Sequence, residues 1–151
     1  MPLTVRLATP VDAPIIVEFN RRLSEESEGK TLDIKVLAAG VAAVLADSHK
    51  GPYFLAEENG EILGQMQVTY EFSDWRNGWF WWIQGVYVRP EARRRGVFRA
   101  LYEHVADTAK NDPEVIGLRL YVERENKLAH ETYLRLGMEW TDYLLMERYP
   151  L

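Results

Sequence analysis

The segment Val86-Tyr87-Val88-Arg89-Pro90-Glu91-Ala92-Arg93-Arg94-Arg95-Gly96-Val97-Phe98 constrains the fold more than any other part of the chain. It reads as a strand that stops at Pro90, a short basic turn, and a helix opening at Gly96. The helix carries Val97, Leu101 and Val105 on one side, and Arg99, Glu103, Asp107 and Lys110 on the other. This order sets free backbone N–H groups and the positive end of a helix dipole beside Arg93, Arg94 and Arg95. Such an arrangement holds phosphate or pyrophosphate. A basic helix end on a solvated surface has the same residues. The three glycines of a Rossmann fingerprint and the Gly-Lys-Ser/Thr of a P-loop are both missing.

The rest of the chain limits what can surround this turn. Its 151 residues suit one domain, 1–151, with a core that needs no metal or disulfide. Cysteine is absent, which removes thiolate nucleophiles and Cys-based zinc sites. A net charge of -5 argues against general nucleic-acid binding and makes the arginine cluster a local anion site. No apolar run reaches membrane-spanning length and the start lacks a signal-peptide core, so the expectation is a cytoplasmic protein with no membrane partner.

Thr4-Val5-Arg6-Leu7 alternates as a first strand, and Thr9-Pro10-Val11-Asp12 reads as a helix start capped by Thr9 or Asp12. Ile15, Ile16, Phe19 and Leu23 form its apolar stripe. Residues 24–30 read as an acidic loop, and Leu32 to Ala46 as a second helix with Val36, Leu37, Val41, Val44 and Leu45 inward. Asn59-Gly60 predicts a hairpin between strands Tyr53 to Glu57 and Glu61 to Tyr70. After a connection over residues 71–78, a strand from Trp79 to Val88 carries Gly85 as a bulge point. Val115 to Val122 is a buried strand. Asn126 to Leu136 is a helix closed by Gly137, and one or two strands end the chain between Met138 and Tyr149. The order β-α-α-β-β-β-α-β-α-β predicts an α/β (α+β) layout with helices packed on a mixed sheet.

Val88-x-Pro90-x-x-Arg93-x-x-Gly96 resembles motif A of the GNAT superfamily of acyl-CoA N-acyltransferases. Asn126-x-x-Ala129-x-x-x-Tyr133-x-x-x-Gly137-Met138 resembles its motif B, one helix and one strand later. The opening Arg6-Leu7-Ala8-Thr9-Pro10-Val11-Asp12 is similar to the usual start of that family. The resemblance implies a mostly antiparallel central sheet flanked by about four helices, and acetyl-CoA as cosubstrate with no metal. It further implies that Arg93, Arg94, Arg95, Gly96, Val97 and Phe98 cradle the pyrophosphate. Val86, Tyr87 and Val88 would line the pantetheine arm, and Asn126 would meet that arm or cap its own helix. Phe98 departs from the family's small residue, so its ring must point into the core.

Transfer of an acetyl group to an amine needs a neutral amine, a donor to the carbonyl oxygen and a proton for the departing thiolate. The resemblance makes Tyr133 the general acid; by spacing alone it shares an apolar face with Ala129 and Leu136. The carbonyl donor is implied to be a main-chain N–H near Gly85 to Val88. Gln84 occupies the central strand where many relatives carry a basic Glu, which leaves Glu71, Asp74 or a water relay to take the amine proton. Trp75, Trp79, Trp81 and Trp82 crowd into eight residues. With Glu25, Glu26, Glu71 and Asp74, they suit a small cationic amine held by cation–π contact and charge, with Glu25, Asp74 and Trp81 as its contacts. The same rings suit a core or a homodimer interface. The expectation is an N-acetyltransferase for a primary amine, with a protein or N-terminal acetyltransferase and a non-catalytic acyl-CoA-binding module as alternatives.

Overall fold

Asn59 and Gly60 both adopt positive φ, 53° and 78°, as the tight hairpin turn expected from the sequence requires. They join β2 (Tyr53–Glu58) to β3 (Glu61–Ser73) in the computed structural model, which describes residues 2–151. The chain divides into two compact units, Met1–Leu120 and Tyr121–Leu151.

The first unit is a five-stranded sheet in the order β1-β2-β3-β4-β5, with β1 at Thr4–Leu7, β4 at Gly78–Val88 and β5 at Val115–Leu120. Neighbours are antiparallel except β4 and β5, which run parallel. Helix α3 (Val97–Lys110) lies on one face. Its Leu101 and Val105 are fully buried with Met66, Val68 and Ile83, and Trp81, Val86 and Val88 pack at the margin. Helices α1 (Ala13–Glu28) and α2 (Ile34–Ala46) serve the other face, where Ile16 and Val41 meet Tyr53 and Leu55.

Helix α1 runs five residues past Leu23, through the stretch expected as an acidic loop. Its charges account for this. Glu18 pairs with Arg21 and Arg22, and Arg21 with Glu25, at helical spacings that support the extra turns. Gly29, at φ 62°, ends the helix. Helix α2 starts at Ile34 rather than Leu32, because the Asp33 carboxylate caps it by accepting from Lys35 N and Val36 N. Val36 is consequently exposed, not inward. Strand β3 extends to Ser73, so the connection shortens to a turn at residues 74–77.

The second unit contains α4 (Lys127–Arg135), capped by the Asn126 side chain at Ala129 N. The helix ends with Gly137 at φ 93° and bonds from Gly137 N to Leu134 O and from Met138 N to Tyr133 O. Within this unit the residues after Met138 form no strand, against expectation, since a strand needs a ladder partner and the unit supplies none.

Candidate active site

After β4 the chain makes a 3-10 turn, Pro90–Ala92, with Ala92 fully buried as its anchor. Arg94 then takes φ 64° and Gly96 φ 83°, and Gly96 becomes the N-cap of α3. No side chain caps this helix, so the first N–H groups of α3 keep their demand for an acceptor. A Cβ built on Gly96 would meet nothing within 4 Å, which leaves the backbone open to approach. The Phe98 ring is partly buried against the α3-side core, 6.2 Å from Tyr102.

The three arginines have separate roles. Arg93 donates from Nη2 to Glu26 Oε1 at 2.8 Å and from Nε to Val88 O at 3.0 Å. Arg95 pairs with Glu58 at 2.8 Å. Arg94 is exposed and enters no ion pair among the described residues. The Tyr87 hydroxyl donates to Glu26 Oε2 at 2.6 Å, and Arg93 lies over the Tyr87 ring at 5.5 Å. Arg93 first, then Tyr87, hold the Glu26 carboxyl below its usual range, while burial and the facing carboxylate raise the Tyr87 phenol. Glu26, rather than Glu25, is therefore the α1 carboxylate that reaches the turn after β4.

Upstream, β4 bulges. Gln65 pairs with Tyr87 and Gln67 with Gln84, so Gly85 and Val86 together oppose Met66, and Gly85 has φ 57°. The parallel ladder to β5 ends at Ile83 and Leu120, leaving Gln84 to Val88 without a β5 partner. Behind the bulge is a buried polar network. Gln65 Nε2 donates to Gly85 O at 2.9 Å and to Asn20 Oδ1 at 3.1 Å, and Asn20 Nδ2 donates to the Tyr53 hydroxyl at 3.0 Å. Gln65 is fully buried, yet its Oε1 receives no hydrogen bond among the described residues. Burial raises the Tyr53 phenol, which therefore stays protonated.

Asn20 and Tyr53 also line a cavity of about 420 Å³ between α1, α2 and the sheet. Its walls are largely apolar, from Leu23, Leu37, Val41 and Val44, and Gly40 contributes bare backbone. Sequence reasoning missed this cavity and the network, because their residues come from five separate elements, α1, α2, β2, β3 and β4.

The expected acceptor contacts do not converge. Glu25 pairs with Arg21 on the exposed side of α1. Asp74 sits in the hairpin turn. Trp81 packs on the α3 side of the sheet, edge-on to Tyr70, and its neighbour Trp82 takes the opposite face. Strand alternation separates those two rings. Glu71 does share a face with Gln84, but its Oε1 accepts from Trp82 Nε1 at 3.0 Å and Arg119 Nη1 at 2.9 Å. Its partner Phe80 lies five residues before Gly85, about 16 Å along a strand at ~3.3 Å per residue. Asn126 caps α4, and Tyr133 lies on that helix in the second unit. Among the described residues no cluster of His, Asp and Glu could hold a metal, and no helix is long and apolar enough to cross a membrane.

A strand that bulges and runs on past the end of its parallel neighbour, then leads through a turn into an uncapped helix, is an arrangement that can be compared with known folds. The acetyltransferase (GNAT) family matches residues 17–138, across the division at Leu120. A possible acetyltransferase from Clostridium difficile 630 is similar over 100% of this chain and 99% of its own, with 42% identity and a TM-score of 0.94. A predicted acetyltransferase from Clostridium acetobutylicum solved with acetyl-CoA shares the fold at 22% identity (97% and 96% covered, TM-score 0.79). A ribosomal-protein-alanine N-acetyltransferase from Brucella melitensis does so at 15% (97% and 100% covered, TM-score 0.76). No curated protein matches. The chain belongs to the GNAT acetyltransferase family.

Proposed function

We propose that this protein transfers an acetyl group from acetyl-CoA to the primary amine of a small molecule, by direct attack in a ternary complex. One observation carries the reading: the uncapped N-terminus of α3 follows, through the turn at residues 89–96, the part of β4 that β5 leaves unpaired. The open backbone at Gly96 and the inward Phe98 ring fit a pyrophosphate there. The N–H groups of the first turn of α3, with Arg94, would hold the pyrophosphate. Main-chain groups of Val86, Tyr87 and Val88 would bind the pantetheine arm; the Tyr87 side chain is buried elsewhere, against Phe19 and Glu26. Bound acetyl-CoA supplies the acyl group already activated as a thioester.

Main-chain N–H groups at the bulge are the donors to the carbonyl oxygen, where charge develops during attack. Tyr133 is assigned the proton for the departing thiolate on its motif. Glu71 is too distant along the strand to act at the bulge, so the amine proton leaves to water.

Thermal unfolding with acetyl-CoA tests the shared claim. At 100 times Kd the ligand adds about 2.7 kcal/mol, roughly 5–10 °C for a chain of this length. No rise overturns the reading. CoA release is then measured with small amines, polyamines, aminoglycosides and lysine peptides. Release with lysine peptides alone favours a protein acetyltransferase, and binding without release favours a non-catalytic module.

A further inference from the structure

The cavity between α1, α2 and the sheet is apolar over most of its wall, and Ser24, Gln67, Asn20 and Tyr53 bring uncharged polar groups to it. A Cβ built on Gly85 would lie 3.5 Å from the Tyr53 hydroxyl and 3.7 Å from Asn20 Oδ1. The Asn20 and Tyr53 side of the cavity therefore abuts the β4 bulge, where the reaction is proposed to occur. Its body is walled by Leu23, Leu37, Val41 and Val44. Glu28 is the one carboxylate in its lining, and it is exposed beside Lys30 at 3.7 Å. A volume of about 420 Å³ is that of a small-molecule site.

Gly40 adds an independent observation. It lies in the middle of α2, where glycine is about 1 kcal/mol worse than alanine. Its φ is not in the left-handed region, and a Cβ there would meet nothing within 4 Å. Neither backbone conformation nor packing calls for glycine. What the missing side chain leaves is room, because Gly40 lines the cavity.

We infer that the acceptor is a primary amine with an apolar body, which fills this cavity and points its nitrogen at Asn20 and Tyr53, and that Gly40 sets the size of body admitted. The inference rests on the acetyltransferase reading and names its substrate class. It also suits a site in which Glu26, the carboxylate that reaches the bulge-flanking Tyr87, is already engaged by Tyr87 and Arg93. The cavity is open to solvent on one side, so R–NH3+ gives its proton to water there and reaches the bulge as R–NH2, with the lone pair on nitrogen free to attack. A polycation such as spermidine would set several charges against the Leu23, Leu37, Val41 and Val44 walls, and is disfavoured.

The test uses straight-chain amines from propylamine to hexylamine, with 2-phenylethylamine and spermidine, on the wild type and Gly40→Phe. With acetyl-CoA, kcat/KM rises about three- to fourfold per added CH2 until the cavity is full, and spermidine is poor. Gly40→Phe lowers kcat/KM for hexylamine and 2-phenylethylamine at least tenfold, mainly through KM, and keeps the acetyl-CoA melting shift. Gly40→Ala gives a smaller loss in the same direction, and thermal melting of both variants with and without acetyl-CoA shows that the loss is not a folding defect. Calorimetric titration of hexylamine with and without CoA reads the cavity apart from turnover: wild type binds and Gly40→Phe does not. A flat response to chain length, a preference for spermidine, or equal hexylamine binding by wild type and Gly40→Phe overturns the inference. If acetyl-CoA fails to shift melting while hexylamine still binds through Gly40, the cavity assignment survives and the acetyltransferase reading fails.

Discussion

Alanine placed at Gly85 and at Gly40 should change stability in opposite directions, although the chemical change is identical. At neither position does a Cβ meet an atom closer than 3.5 Å, so sterics decide nothing. Backbone conformation does. Gly85 has φ 57°, and an L-residue held there costs about 1–2 kcal/mol. Gly40 is in a helix interior, where alanine gains about 0.5–1 kcal/mol. At roughly 2–4 °C per kcal/mol for a chain of this size, Gly85→Ala lowers Tm by about 2–8 °C and Gly40→Ala raises it by about 1–4 °C. Gly85→Asn falls between wild type and Gly85→Ala, because asparagine tolerates the left-handed region better. Calorimetry supplies Tm, and urea titration checks that the slope is unchanged and the native surface therefore the same. A loss above about 4 kcal/mol at Gly85 would mean a close contact rather than a backbone cost. Shifts of the same sign at both glycines would refute the reasoning.

The site makes further predictions. Tyr133→Phe lowers kcat by about 10²-fold or more while the acetyl-CoA melting shift is kept; unchanged turnover removes it as the general acid. Glu71→Gln leaves kcat/KM within about threefold and its pH profile unmoved, since Glu71 is bound to Trp82 and Arg119 well away from the bulge. A loss of the acid-side limb would restore it as the base. Glu26 titrates lower in the folded chain than its ordinary value of 4.5, so below that value the unfolded chain binds the proton more readily. Its stabilisation is full above about pH 4.5 and fades as pH falls through the folded pKa. Both partners are partly exposed, so the effect stays under about 1 kcal/mol. Tm measured from pH 3 to pH 7 should therefore fall less steeply on the acid side for Glu26→Gln.

Local signals carried most of the fold. Asn59-Gly60, the Pro90 stop, the buried stripe Val97-Leu101-Val105 and the Asn126 and Gly137 caps all act within a few residues, so the sequence states them directly. What escaped depends on partners far away. The acidic run after Ser24 reads as a loop until Arg21 is seen pairing with Glu18 and Glu25. Arg93 and Arg95 read as free cations until Glu26 and Glu58 are found against them. Trp81 and Trp82 are neighbours in sequence and strangers in space. The cavity lined by Asn20 and Tyr53 has no motif at all, being the gap left between two helices and a sheet.

The bulge in β4 can be read as an insertion in a repeating pattern. Trp81, Ile83, Val86 and Val88 all belong to the α3-side core, so the core spacing is two, three, two. Remove Gly85 and the spacing becomes two throughout: Val86 would oppose Met66, and Gln84 and Tyr87 would keep their present faces. The packing of the sheet thus has no use for Gly85. Deleting it would lose the carbonyl that Gln65 binds and draw the neighbouring amides into a regular ladder. The strand carries one residue more than its architecture needs, and the surplus residue sits where the chemistry is proposed to be.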